Sequence, residues 1–350
     1  MPMCVEVRRL SILTIVGRIW YLTHHVSKWN GTKDKSLSDG QQHLQHISSL
    51  LKGRGVRFSN DTRNHKKFVN YSTKPPTMET SQSRHIKLGI LVPSSNTAVE
   101  PLTQSIITSP TTPETGGLSS FSSFPSSPPL ITVHFSRFTV TEISLSNSSL
   151  SQFKHDKIIA AAQLLADAGV DVIGWSGTSA GWLGFQHDTE LCSLITSQTG
   201  IPATSSVLAL NQLLTRLNVT NLGMVTPYLD EMNRKIVDNY QSLGIKVTAV
   251  KKGLGIVDNH EIRRIGVDVL DGLVGELIEG MRMDETDVKL TVLSTFCTNL
   301  SAAQRVSYWE EKYDGLIVLD SVSTVVWGTL HLLGLDTSFI KGWGKMFDIK

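Results

Sequence analysis

The chain has little cysteine and no long hydrophobic run. Three of its 350 residues are cysteines (Cys4, Cys192 and Cys297), and they are odd in number and far apart. That spacing excludes a disulfide scaffold and a paired-cysteine metal site, and it suggests a reducing compartment. The longest apolar stretch, residues 10–26, is interrupted by Arg18. The sequence therefore predicts no membrane-spanning helix.

Charge is distributed unevenly along the chain. Residues 1–85 carry 14 lysines and arginines against 5 aspartates and glutamates, whereas residues 86–350 carry 19 against 26. An acidic body argues against nucleic acid as the main partner. The sequence also has no phosphate-binding loop, no zinc-protease or esterase motif and no histidine pair at ligand spacing, so we predict no metal site.

The basic segment 1–85 shows no sustained helical or strand period. One interpretation is a targeting presequence, which would place the protein in mitochondria. The other, which we favour, is a disordered extension or sequence upstream of the native start. We accordingly expect a cytoplasmic protein unless the presequence is genuine.

From residue 86 onward, short apolar runs alternate with helical stretches. This alternation is typical of parallel sheets joined by crossover helices and predicts an α/β fold. Strands are predicted at 87–92, 131–137, 170–175, 222–226, 245–250, 290–295 and 316–320, with a short one near Pro202. Helices are predicted at 152–168, 184–199, 207–217, 229–243, 259–279, 301–312 and 321–333. Residues 109–130 hold seven serines and five prolines, which predicts a surface insertion.

Small hydroxyl- and amide-bearing residues follow four of the predicted strands. These segments are 93–97, 176–181, 226–228 and 296–299. Ligands of open parallel sheets bind beyond the carboxyl ends of the strands, and the helices that follow favour anions there. Any one of these loops could be an ordinary helix cap. Together they predict a site for a carboxylate or a developing oxyanion.

Two of these loops occupy equivalent places in the two halves of the chain. Gly177-Thr178-Ser179 follows one strand, and Cys297-Thr298-Asn299 follows another. The correspondence indicates an internal duplication, in which each half contributes a loop to a shared cleft.

The chain resembles the aspartate/glutamate racemase superfamily, and within it the branch of arylmalonate decarboxylase and maleate cis-trans isomerase. The similar segments are collinear over residues 86–345: LGILVPSSNTAVEP (88–101), HFSRF (134–138), DVIGWSGTSAG (171–181), VTPYLDEMN (225–233), GIVDN (255–259) and LSTFCTN (293–299). The resemblance implies two pseudo-symmetric α/β lobes, a site in the cleft between them and no cofactor. We expect a first lobe at 86–205, a second at 206–315, and a C-terminal strand and helix at 316–350 that return to the first.

Racemases and isomerases of this superfamily use one cysteine on each side of the substrate. By position the first falls at Gly177 here and the second at Cys297, so the chain resembles the decarboxylases, which have glycine first. Its loop at Ser95-Asn96, by contrast, resembles the isomerases. With glycine at 177, stereoinversion lacks one of its two acid–base groups, and isomerisation lacks its nucleophile.

The residues and the resemblance together predict a decarboxylase that acts on a substituted malonate or a related diacid. Cys297 would protonate the α-carbon, and the enediolate would be held by Ser95, Asn96, Thr178, Ser179, Tyr228, Asn259 and Thr298. The alternative is a maleate-isomerase-like isomerase of a small dicarboxylate, and a second alternative is a non-catalytic carboxylate-binding protein. Three questions stay open: the resting protonation state of Cys297, the formation of a homo-oligomer, and whether Trp175, Trp182 and Trp327 are core or pocket wall.

Overall fold

The structure is a computed structural model that describes residues 85–108, 129–249, 254–282 and 291–350. The interpretation of segment 1–85 therefore lies outside the described residues, apart from His85. So does almost all of the proposed insertion at 109–130. No helix in the described ranges is both long enough and apolar enough to cross a membrane.

The first half of the described chain forms a four-stranded parallel sheet in the order β2-β1-β3-β4. Its strands are β1 (Ile86–Pro93), β2 (Ile131–Phe138), β3 (Val172–Trp175) and β4 (Ala203–Ser205). Strands β1 and β3 are buried along nearly their whole length. They consequently appear in the sequence as continuous apolar runs rather than as alternating ones.

The second half repeats this arrangement. Its strands are β5 (Asn221–Val225), β6 (Lys246–Ala249), β7 (Val292–Thr295) and β8 (Ile317–Asp320). They form a parallel sheet in the order β6-β5-β7-β8, which is the order of the first sheet. The predicted α/β fold with two pseudo-symmetric lobes is confirmed.

Helices join the strands. They are α1 (Val99–Thr108), α2 (Asn147–Leu150), α3 (His155–Asp167), α4 (Ala180–Leu183), α5 (Phe185–Thr199), α6 (Ser206–Arg216), α7 (Asp230–Ser242), α8 (Asn259–Arg263), α9 (Val267–Arg282), α10 (Val306–Lys312) and α11 (Ser321–Leu332). Gly169 and Gly200 follow α3 and α5 with φ of 66° and 73°. Both adopt the left-handed conformation that is common at helix ends and that glycine enters without a steric penalty.

The predicted helix at 259–279 is wrong in one respect, because the structure has two helices there. Helix α8 ends at Arg263, and the amide of Ile265 bonds back to the carbonyl of Ile262 in a tight turn. Gly266, a poor helix former, precedes α9. The two pieces have similar apolar spacing, so periodicity alone did not separate them.

The C-terminal strand and helix belong to different lobes. Strand β8 pairs with β7 in the second sheet, contrary to the prediction that it returns to the first lobe. Helix α11 packs against β3 and β4 of the first sheet and against α6. Its Thr324 hydroxyl donates to the carbonyl of Ser206 at 3.0 Å. The remaining lobe boundaries stay predictions.

Candidate active site

Each sheet has one point at which the strand order reverses. A cavity lies at the carboxyl ends of the strands on either side of these two points. In the first sheet these strands are β1 and β3, and in the second they are β5 and β7. Such reversals leave a crevice between adjacent loops. The cavity is partly open to solvent and is lined by Pro93, Asn96, Val140, Ile143, Phe153, Trp175, Gly177, Thr178, Ser179, Trp182, Tyr228, Asn259, Cys297 and Thr298.

Cys297 enters this cavity from the loop after β7. It is 3% exposed, and its sulfur is within hydrogen-bonding reach of the Tyr228 hydroxyl and of the amides of Asn299 and Leu300. Burial raises the pKa of the thiol to about 11, even though these donors favour the thiolate. Burial therefore favours the protonated thiol over the thiolate.

Tyr228 connects the two lobes through its hydroxyl. That oxygen lies 2.7 Å from the Thr178 hydroxyl, which belongs to the loop after β3. Burial raises the pKa of Tyr228 well above its ordinary value, so its phenol keeps its proton. The ring packs edge-to-face on Trp182, with centroids 5.0 Å apart. A line of hydroxyl and thiol groups thus runs from Thr178 through Tyr228 to Cys297.

Gly177 lies where the resemblance would put a first cysteine, and the structure leaves no room there for a side chain. A β-carbon built on it would lie 2.0 Å from Cζ2 and 2.4 Å from Cε2 of Trp175. Trp175 is fully buried, and its ring packs on Phe138 with centroids 5.0 Å apart. The indole of Trp175 therefore occupies the space that a side chain at position 177 would need.

Asn96 makes two kinds of contact, one that caps a helix of its own lobe and one that reaches the other lobe. Its Oδ1 accepts hydrogen bonds from the amides of Ala98 and Val99 at 2.9 and 3.1 Å, which caps α1. Its Nδ2 donates to Thr298 Oγ1 at 3.0 Å, across to the loop after β7. The cap therefore holds the amide where it can contact both the cavity and Thr298.

Asn259 also lines the cavity, and Asp258 caps α8 in its place, through the amide of His260 at 2.6 Å. Asn259 Nδ2 donates to Ser95 Oγ at 2.9 Å. Asn299, which the sequence did not single out for the site, donates to Asn259 Oδ1 at 3.0 Å. Asn259 is thus the first residue of α8, but its side chain is oriented by its neighbours and does not cap the helix.

Ser95 differs from its prediction as a substrate ligand. It does not line the cavity, because its hydroxyl donates to the backbone carbonyl of Val140 and accepts from Asn259. Its place is one layer behind Asn259.

Apolar side chains form much of the remaining wall, and the sequence left most of them unnoticed. They are Val140, Ile143 and Phe153 from the segment after β2, together with Trp175 and Trp182. Trp175 and Trp182 are thus pocket wall rather than remote core. Within the residues that the structure describes, no three His, Cys, Asp or Glu side chains are grouped to hold a metal ion.

The family of the chain follows from comparison with known proteins. Residues 121–347 match the family model described as arylmalonate decarboxylase. The chain belongs to this family. It is also 25% identical to the maleate isomerase of Geobacillus stearothermophilus over 262 residues, which cover 73% of this chain and 94% of that protein. Both predicted branches of the superfamily are therefore represented, and the relatives are enzymes, a lyase and an isomerase.

Solved structures show the same fold. A cysteine-to-alanine variant of maleate isomerase from Pseudomonas putida S16, with maleate, has a TM-score of 0.62 at 21% identity, covering 76% of this chain and 98% of that one. A liganded double variant of arylmalonate decarboxylase has a TM-score of 0.58 at 17% identity, covering 76% and 100%. The predicted superfamily, its fold and the expectation of an enzyme are confirmed.

Proposed function

We propose that this protein is a cysteine-dependent decarboxylase that acts on the carbon alpha to a carboxylate, with a substituted malonate or a related diacid as substrate. The observation that carries the proposal is the asymmetry of the cavity. The second lobe supplies a protonated thiol at Cys297, whereas the first lobe supplies Gly177, with Trp175 in the adjoining space. Such a site has one acid for the α-carbon and lacks a second.

The reaction starts with the diacid bound so that one carboxylate meets the hydroxyls of Thr178 and Tyr228. The bond from the α-carbon to the other carboxylate breaks, carbon dioxide leaves, and the electron pair passes into an enediolate on the retained carboxylate. The protonated Tyr228 phenol and the Thr178 hydroxyl donate to that developing charge. Neutral donors held in place before the reaction stabilise such charge most effectively.

Protonation completes the turnover. The S–H bond of Cys297 breaks as its proton moves to the α-carbon, and the electron pair of the enediolate forms the new C–H bond. The resulting thiolate is stabilised by the Tyr228 hydroxyl and the amides of Asn299 and Leu300, which act as hydrogen-bond donors. A proton from solvent then restores the thiol. The buried thiol favours this return because its pKa lies well above neutral pH.

A second candidate is cis-trans isomerisation of a maleate-type diacid. It is supported by the 25% identity to the Geobacillus stearothermophilus maleate isomerase and by the isomerase-like loop around Asn96. Isomerisation by addition to the double bond calls for a thiolate nucleophile. A thiol with a pKa near 11 carries little thiolate at neutral pH, which favours the decarboxylase.

The test is a panel of α-substituted malonates, with maleate included, assayed for carbon dioxide and for fumarate. We expect carbon dioxide from at least one malonate, and a loss of more than 100-fold in Cys297→Ala. Cys192→Ala is the matched control, since Cys192 is buried in α5 and does not line the cavity. Turnover that survives Cys297→Ala, or fumarate formation as the sole activity, would contradict the proposal.

A further inference from the structure

Three buried hydrogen-bond donors in the cavity wall have no partner among the described residues. They are the indole nitrogens of Trp175 and Trp182 and the hydroxyl of Ser179. All three come from one stretch of chain, residues 175–182, which runs from the end of β3 through the following loop into α4. A buried donor without an acceptor is unfavourable, and in a native protein it calls for an explanation.

The other polar side chains of the cavity are already paired. Thr178 contacts Tyr228, Asn96 contacts Thr298, and Asn259 contacts Ser95. The unpartnered donors are therefore confined to the first-lobe side of the cavity. A hydrogen-bond acceptor on a bound molecule would pair with the donors on this side of the cavity.

The indole of Trp175 carries its N–H close to Gly177. Its Nε1 is bonded to Cε2, the atom that lies 2.4 Å from the β-carbon position of Gly177. The nitrogen is therefore one bond away from an atom that a β-carbon at Gly177 would touch, at the position where a first-lobe cysteine would act. The ring is fixed there, because it is fully buried and packs on Phe138.

A donor at this position suits a group that stays on the substrate. A hydrogen bond to the departing carboxylate would stabilise the negative charge that has to be lost, and so would oppose decarboxylation. The retained carboxylate is assigned to Thr178 and Tyr228. The group left for Trp175 is the α-substituent.

We propose that the indole N–H of Trp175, with the hydroxyl of Ser179, binds an oxygen atom on the α-substituent of the substrate. The inference rests on the proposed function and narrows its substrate class to malonates with a compact, oxygen-bearing substituent. The same ring that excludes a side chain at position 177 would then determine specificity. A site with a buried donor discriminates strongly against an analogue that lacks the acceptor.

Binding to the full-length Cys297→Ala protein tests this without turnover. Calorimetry would compare hydroxymalonate with methylmalonate, which differ only in a hydroxyl against a methyl group. We expect hydroxymalonate to bind about tenfold more tightly. Adding Trp175→Phe keeps an aromatic ring and removes the N–H. It should bring the ratio of hydroxymalonate affinity to methylmalonate affinity close to one, and methylmalonate affinity should change by less than about twofold. Trp327→Phe is the matched control, because Trp327 is a buried tryptophan of α11 outside the cavity.

Three results would overturn the inference. The first is equal affinity for the two ligands in the protein that keeps Trp175. The others are, in Trp175→Phe, an unchanged affinity ratio or an equal loss of affinity for both ligands. The last would indicate a purely structural ring. Failure of the proposed function has a different signature. A chain that selects hydroxymalonate through Trp175 but releases carbon dioxide from no malonate would refute the decarboxylase and retain the binding site.

Discussion

The hydroxyls of Thr178 and Tyr228 lie 2.7 Å apart, although the two residues follow strands of different sheets. Thr178 follows β3 of the first lobe, and Tyr228 follows β5 of the second. The pair is buried, and its tyrosine also interacts with Cys297, so one hydroxyl both joins the two lobes and lies beside the proposed proton donor. The predictions below follow from this contact and from its surroundings.

Removing the Tyr228 hydroxyl should damage catalysis more than binding. Tyr228→Phe keeps the ring that packs on Trp182 but deletes the donor to the enediolate. We expect kcat to fall by about 10²- to 10³-fold with KM changed less than about threefold, as measured by steady-state kinetics. Tyr240→Phe is the control, since Tyr240 is equally buried, lies on α7 and has no hydrogen-bond partner within the described chain. An equal loss in both variants would contradict the assigned role.

A side chain at position 177 should be tolerated only when Trp175 is reduced. Gly177→Ala places a β-carbon 2.0 Å from Trp175 Cζ2, so we expect a loss of roughly 1–3 kcal/mol in the free energy of unfolding. In a Trp175→Leu background the same change should cost clearly less, as a double-mutant cycle by denaturant unfolding would measure. Gly272→Ala, in open space on α9, should not destabilise the protein. Additive effects of the substitutions at 175 and 177 would refute the steric account.

The rate of decarboxylation should not fall between pH 7 and pH 9. The proton donor is the thiol form of Cys297, whose pKa is raised to about 11, so the donor persists through the range in which an ordinary thiol of pKa about 8.5 ionises. The rate should decline only as the pH approaches 11. A rate that rises through pH 8 to 9 would instead indicate a thiolate nucleophile and would favour the isomerase.

Asp320 should make stability depend on pH in the direction opposite to that of a salt-bridged carboxylate. It is buried at the start of α11, where burial raises its pKa from 3.8 to about 6, although Thr295 and the amides of Val322 and Ser323 donate to it. Because the folded pKa exceeds the unfolded one, its stabilising contribution is complete below pH 4 and is lost as the pH rises through 6.

The wild type should therefore lose roughly 2 kcal/mol relative to Asp320→Asn between pH 4 and pH 7. Denaturant unfolding of both proteins at a series of pH values measures this difference. The asparagine keeps an oxygen for the helix amides and removes the titration. Parallel pH profiles for the two proteins would show that Asp320 does not titrate in this range.

The sequence predicted the strands and most helices because their signals are local. The apolar runs at β1 and β3 and the glycines after α3 and α5 each reflect a physical preference of a few neighbouring residues. The four loops at the strand ends were likewise predictable, since parallel strands bring those ends to one edge. The break at Gly266 was missed because an apolar period continues across it, and β8 was assigned to the wrong lobe because sheet pairing is not local.

The remaining features of the site could not be predicted because the sequence does not show in which direction a side chain points. Ser95 follows β1 as predicted, but its hydroxyl turns to Val140 and Asn259 rather than to the cavity. Trp175 could have been core or wall, and only its packing on Phe138 puts its ring beside Gly177. Such choices depend on contacts between residues distant in sequence, which no local pattern encodes.

The most direct test of the central claim is the stereochemistry of protonation in D₂O. A malonate with two different α-substituents would be decarboxylated, and the α-deuterated acid would be analysed by chiral chromatography and NMR. One thiol on one face of the carbanion predicts a single enantiomer carrying one deuterium, formed only when Cys297 is present. A racemic product from the intact enzyme would contradict proton delivery by Cys297.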